Sequence, residues 1–197
     1  FFFQAHAGIR DPLWSRGLGD VYKRQIEDGG FGDRACVDLT TILDIGQGLL
    51  VGSSSSALSL IHGETLESEF VPPRPFRVNA GAVHAYVLMA DGTTKYLSEL
   101  VAGDTVAIVD SYGATGEAIV GRIKIESRPF LIIRFKHEES GTEGQTFVQQ
   151  AETVRLISPD GQMPSVTSLK TGDSILVHVD SSARHIGQNV LSASEER

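Results

Sequence analysis

The sequence predicts a mainly β (α+β) fold built from small β-barrel-like modules with an internal repeat. Three observations predict it. Apolar residues almost never recur at helical spacing over the roughly ten residues that a firm helix needs. Short β-rich runs follow one another along the chain, separated by Gly, Pro, Asp and Ser turns. And DGTTKYLSELVAGDTVAIVD (91–110) aligns with DGQMPSVTSLKTGDSILVHVD (160–180), with Leu100 and Gly103-Asp104 matching Leu169 and Gly172-Asp173.

Residues 1–25 stand apart. SRGLGDVYKRQ (15–25) looks like a translated transposon-type sequencing adapter, and QAHAGIRD (4–11) resembles a translated flow-cell primer. This stretch is read as a non-native tail and excluded from fold reasoning. The authentic chain is expected to start near Ile26 and to be the C-terminal part of a longer protein.

From there the expected strands are ACVDL (35–39), LLVGS (49–53), ALSLIH (57–62) and VHAYVLM (83–89). TVAIVD (105–110), AIVGRIKIE (118–126), FLIIRF (130–135), TVRLIS (153–158) and SILVHV (174–179) follow. TTILDIGQGLL could open a short helix, but Gly46 and Gly48 cut it. Turns are expected at Asp91-Gly92, 111–116, 140–144 and Pro159-Asp160-Gly161. Each copy of the repeat reads as a hairpin turn, a short turn of helix ending in a left-handed glycine, and a strand. The resulting division is 1–25 as tail, 26–90 as a region carrying RPFRVNAGAVHAYV, and 91–197 as duplicated β modules. A similar repeat occurs in autoprocessing domains, but the N-terminal nucleophile and matching histidine block that those need are not visible.

Composition narrows the function. The formal net charge is −8, and setting aside the four basic and two acidic residues of the tail leaves 13 against 23. An acidic chain without a basic stripe argues against nucleic acid as a partner. No apolar run approaches the roughly 18 residues of a membrane helix. The single cysteine, Cys36, cannot form an internal disulfide. A cytoplasmic protein is expected.

Several residues could carry chemistry. His84 lies in a strand-like run beside Arg74, Arg77 and Asn79. The arginines can clamp a carboxylate in bidentate fashion. Asn79 can donate to an oxyanion, and Gly81 would let the backbone approach a ligand. In IHGET, His62 and Glu64 stand two apart, on one face if the run is extended, as a base and its orienting carboxylate would. No third ligand at diagnostic spacing accompanies them, so no metal is expected. GQGLLVG superficially resembles a dinucleotide loop, with Gly52, Ser53 and Ser54 as candidate contacts, but a strand rather than a helix follows it. Asp33 stands beside a strand and could reach a site at its end. Lys124, Arg128 and Arg184 are isolated basic residues that the sequence alone does not place together. A non-catalytic, repeat-built β interaction module is the competing interpretation. An enzyme should gather Arg74, Arg77, His62, Glu64 and His84 in one concavity, whereas a structural module should scatter them.

Taken in order, GDRACVD, GLLVGSSS, IHGET, PRPFRVNAGAVHAYV, YLSELVAGD, VGRIKIESRP, QQAETVRL, SLKTGD and ARHIG resemble the 3-dehydroquinate synthase II family, from about Gly29 to Val190. Departures are mild: Ser127 replaces a usual arginine, Gln150 an asparagine and Ile186 a phenylalanine. The resemblance implies the C-terminal part of a larger α/β enzyme that uses NAD. It implies oxidative deamination of the small amino sugar acid 2-amino-3,7-dideoxy-D-threo-hept-6-ulosonate, then aldol closure to 3-dehydroquinate in the shikimate route. Set against that chemistry, His84 or His62 is the expected base, with Glu64 orienting. Asn79, Arg77 or Lys124 would stabilise the oxyanion. Arg74, Arg77, Arg128 and Arg184 would bind substrate, and Gly52, Ser53, Ser54 and Asp33 would bind NAD.

Overall fold

A computed structural model describes residues 18–68, 71–138, 140–180, 183–185 and 188–190. Its strands are β1 (Leu18–Leu39), β2 (Gln47–Ser54), β3 (Ala57–His62), β4 (Arg77–Ala82), β5 (Tyr86–Leu88) and β6 (Thr94–Tyr96). They continue as β7 (Thr105–Asp110), β8 (Thr115–His137), β9 (Glu143–Gln149), β10 (Ser174–Val179), β11 (Ala183–His185) and β12 (Gln188–Val190). The helical content among the described residues is a single 3-10 turn at Leu97–Glu99.

Ten strands join in one sheet in the order β3-β10-β1-β8-β7-β2-β5-β6, with β4 on β1 and β9 on β8, while β11 and β12 pair separately. β3 also pairs with β2, so the sheet curls back on itself, and its path runs on through β5 to an open end at β6. The expected barrel-like modules are therefore corrected to one open sheet. The reason is the length of β1 and β8, which pair antiparallel from Val21↔His137 to Leu39↔Val120 and give the shorter strands a common frame. The register shifts between Asp28 and Phe31, where Phe31 faces Pro129. A proline has no N–H for the ladder and is tolerated at such an irregularity.

The continuous apolar runs follow from burial on both faces. Leu49 and Val51 of β2, Ala57 and Ile61 of β3, Val106 and Ile108 of β7, and Ile175 and Val177 of β10 join the larger core cluster. Their alternates Leu50, Leu58, Leu60, Ala107, Val109 and Leu176 enter a second cluster. Successive side chains point to opposite faces of a strand, so a strand covered on both sides is apolar throughout.

The two aligned turns adopt matching hydrogen bonds. Met89 N–H donates to Thr93 O and Ser158 N–H to Gln162 O, both at 2.9 Å. Asp104 and Asp173 each accept a backbone N–H, from Val101 at 3.0 Å and Lys170 at 2.7 Å. The glycines preceding them, Gly103 and Gly172, have φ of 98° and 97°.

Candidate functional site

Three neighbouring strands collect most of the charged candidates. β4 pairs with β1 and β1 with β8, in registers that align Arg77 with Asp38 and Arg122, and Asn79 with Cys36 and Lys124. Arg34 lies opposite Glu126 in the next row. Residues two apart on a strand share a face. These residues therefore occupy one face, and their neighbours Ala35, Val37, Val78 and Ala80 occupy the core on the other.

In the first row, Arg77 donates from Nε to Asp38 Oδ1 at 2.6 Å and from Nη2 to Oδ2 at 2.9 Å. Arg122 adds bonds to Oδ2 at 2.8 and 2.5 Å. Burial alone would raise the Asp38 carboxyl, but the hydrogen bonds from the two arginines hold it below its ordinary value. The Asp38 bond likewise raises Arg77, despite its burial. Arg77 is thus occupied by the protein's own carboxylate, so the expected substrate clamp or oxyanion donor is a structural tie that stiffens the site.

In the second row, Asn79 Nδ2 donates to Gln149 Oε1 at 2.9 Å, and its buried Oδ1 has no partner. Asn79 presents an acceptor here, not the donor that an oxyanion requires. Burial raises the Cys36 thiol, opposed by Arg34, which donates to its Sγ. In the third row, Glu126 receives Arg34 Nη2 at 2.7 Å, Lys124 Nζ at 3.0 Å and Arg128 Nη2 at 3.2 Å.

Glu64 closes one end. Its N–H donates to Arg77 O at 2.8 Å, and Arg74 N–H donates to Glu64 O at 2.7 Å. Arg74 Nη1 lies 3.3 Å from Glu64 Oε2. Burial raises the Glu64 carboxyl above its ordinary value, with Arg74 and Arg77 pulling against it. The site thus has six cations, Arg34, Arg74, Arg77, Arg122, Lys124 and Arg128, against the carboxylates of Asp38, Glu64 and Glu126, in a chain of formal charge −8.

The histidines lie elsewhere. His62 Nε2 accepts the Gly46 N–H at 3.0 Å, and burial, aided by Arg155, lowers its pKa to about 4. It is a neutral acceptor anchoring the β2 approach, and Glu64 is committed to Arg74 instead of orienting it. His84 is exposed on the turn after β4 and meets Phe147 edge-on, with ring centroids 5.1 Å apart. The expected strand over 83–89 shrinks to β5, with a turn before it. The intended close approach at Gly81 is taken by the chain itself. Its φ is 119°, and a Cβ there would fall 2.3 Å from Phe147 O.

The glycine-serine run does not fit a dinucleotide. β2 and β3 form a hairpin in which a Cβ on Gly52 would meet Ala57 O at 2.3 Å, so the space a pyrophosphate would need holds backbone. Ser54 Oγ bonds to Ser56 Oγ at 2.8 Å, and Ser53 Oγ is buried. Asp33 is exposed on β1, where alternation turns it away from the Arg34 face. The Arg184 side chain and the tail residues 1–17 lie outside the described residues. A cleft of about 610 Å³ between the 158–164 turn and Asp173-Ser174 contains none of the expected site residues.

Sequence reasoning passed over Arg122 and Glu126. The alternation Arg122, Lys124, Glu126, Arg128 in one strand run was the available signal, because it puts four charges on one face.

Residues 21–197 match the family described as the 3-dehydroquinate synthase II C-terminal domain. Proteins named 3-dehydroquinate synthase are similar over most of the chain. That of Methanothermobacter thermautotrophicus is 52% identical over 173 residues, covering 88% of this chain and 46% of the relative. That of Methanosphaera stadtmanae is 50% identical over 166 residues, covering 84% and 46%. That of Methanocaldococcus jannaschii is 50% identical over 173 residues, covering 88% and 47%. The chain spans a little under half the length of these relatives.

Proposed function

The chain belongs to the 3-dehydroquinate synthase II family, and from that premise we propose that it is part of an NAD-dependent enzyme making 3-dehydroquinate from 2-amino-3,7-dideoxy-D-threo-hept-6-ulosonate. NAD would accept the hydride from the carbon bearing the amine. The iminium left behind would be hydrolysed with loss of ammonia, and the methyl ketone carbon would then attack the new ketone. The Gly52–Ser54 hairpin and Asp33 do not fit NAD, so no step is assigned to this chain through it.

The observation that carries the reading is the face of β4, β1 and β8. It places an excess of cations, and a buried carboxyl of raised pKa, beside one another. Cations suit a substrate bearing a carboxylate. A carboxylate whose pKa burial raises is a stronger proton acceptor than an ordinary one. We assign Glu64 the proton transfers, in place of His62, whose pKa near 4 leaves it a weak base. Lys124, half-exposed at the middle of the face, is a cation placed to meet a negatively charged group of the substrate. Arg74, whose partner is Glu64, sits at the rim where substrate enters. His84, exposed on the turn after β4, is the second candidate base. Of the five residues expected to share one concavity in an enzyme, Glu64, Arg74 and Arg77 adjoin on this face, while His62 and His84 lie off it.

The test is Glu64→Gln in an enzyme of the relatives' full length. Turnover should fall by about 10²–10⁴-fold, as for loss of a general acid or base, with KM little changed. Turnover equal to wild type would remove Glu64 from the mechanism.

A further inference from the structure

On this face, one carboxylate holds more cations than it can neutralise. Glu126 alone serves Arg34, Lys124 and Arg128. The other cations of the site have carboxylates nearer to hand: Arg77 and Arg122 share Asp38, and Arg74 has Glu64.

The surplus is also layered. Arg34 is 5% exposed, and its Nε has no hydrogen-bond partner. Its Nη1 reaches Cys36 and its Nη2 reaches Glu126. Lys124 and Arg128 stand above it with side chains 47% and 42% exposed. A buried charge left incompletely bonded is costly, and two half-exposed cations around it keep the position open to a ligand. An anion site has this form, with a fixed buried cation at its base and mobile ones at its rim.

We propose that Arg34, Lys124 and Arg128 form the site for the substrate's carboxylate, and that Glu126 is an internal stand-in for it. An incoming carboxylate takes Lys124 and Arg128 from Glu126, while Arg34 keeps its bond to Glu126 and supplies the underlying positive charge. This deepens the functional reading above, on which it rests for the identity of the anion, by naming where that carboxylate sits. Arg34 and Glu126 become positioning residues, and Lys124 and Arg128 the groups that touch substrate.

The experiment titrates the chain with pyruvate, a small 2-oxo carboxylate, near neutral pH and follows backbone amide shifts by NMR, with sulfate in a parallel series. Wild type should show weak, saturable shifts in strands β1 and β8 around 34 and 124–128. Glu126→Gln removes the competing internal anion and should tighten binding about tenfold, the effect of one modest ionic contact. The Lys124→Ala/Arg128→Ala double variant changes two half-exposed side chains, so it should keep the fold and lose the shifts. Binding no tighter in Glu126→Gln, or undiminished in the double variant, would overturn the proposal. Sulfate binding as tightly as pyruvate would mark a generic basic patch and overturn it as well. Failure here, with Glu64→Gln still abolishing turnover, would sink this site and leave the reaction standing.

Discussion

Asp38 decides what the arginines around it can do. It holds Arg77 in bidentate contact and also takes Arg122, so neither is free for a bidentate clamp. Asp38→Ala would strand Arg77 as a buried, unpaired cation, at a cost of about 3–5 kcal/mol. Urea denaturation should show that loss, and removing Arg77 as well should recover part of it. His62 sets a pH dependence. The folded state keeps it neutral down to about pH 4, whereas its ordinary value is 6.5. As pH falls through that window the unfolded chain gains a proton that the folded chain does not. Stability should therefore drop by roughly 3 kcal/mol between the two values and level off below them. His62→Gln should flatten that slope, and an unchanged slope would show that another group causes it. At this scale the sequence was legible in residue type but not in pairing. Arg77, Asn79 and Glu64 do stand in the charged cluster. That Asp38 takes Arg77, and Gln149 takes the Asn79 amide, depends on strands distant in sequence.

Among the elements, β3, β7 and β10 match their expected runs to the residue, because each is a compact apolar stretch between turn signals. β4 was missed because RVNAGA carries polar and small residues, although every one of them is buried. β9 overlaps the turn expected over 140–144 because Gly144 interrupts its polar start. The expected strands at 118–126 and 130–135 are one strand, β8, since antiparallel pairing with β1 carries the chain past Pro129. Over 153–158 only isolated bridges form, Ile61↔Leu156 and Arg155↔Ser165. The β2–β3 hairpin gives a direct check on the expected cofactor site. Gly52→Ala forces a Cβ against Ala57 O and should destabilise the chain by about 1–3 kcal/mol or more, as overpacking does. Thermal melting would measure it. A variant of unchanged stability with lowered NAD affinity in the full-length enzyme would return Gly52 to the cofactor.

For the whole molecule, the β class was legible because period-2 and short apolar runs are local signals. The single sheet was not, because it depends on two long strands that the sequence breaks up with Gly29, Gly30 and Pro129. Asp-Gly turns fix their backbone locally, and the hydrogen bonds around Asp91 and Asp160 coincide. No helix among the described residues is long and apolar enough to cross a membrane. The relatives are about twice as long as the part of them that this chain matches. The measurement that tests this most directly uses an enzyme of the relatives' full length with this chain as its C-terminal part. It is supplied with the amino sugar acid and NAD, and NADH and 3-dehydroquinate are followed together. The expected result is that both appear in equal amounts. NADH without the ring product, or neither product from a folded enzyme, would contradict the assignment of this face to oxidation and ring closure on one substrate.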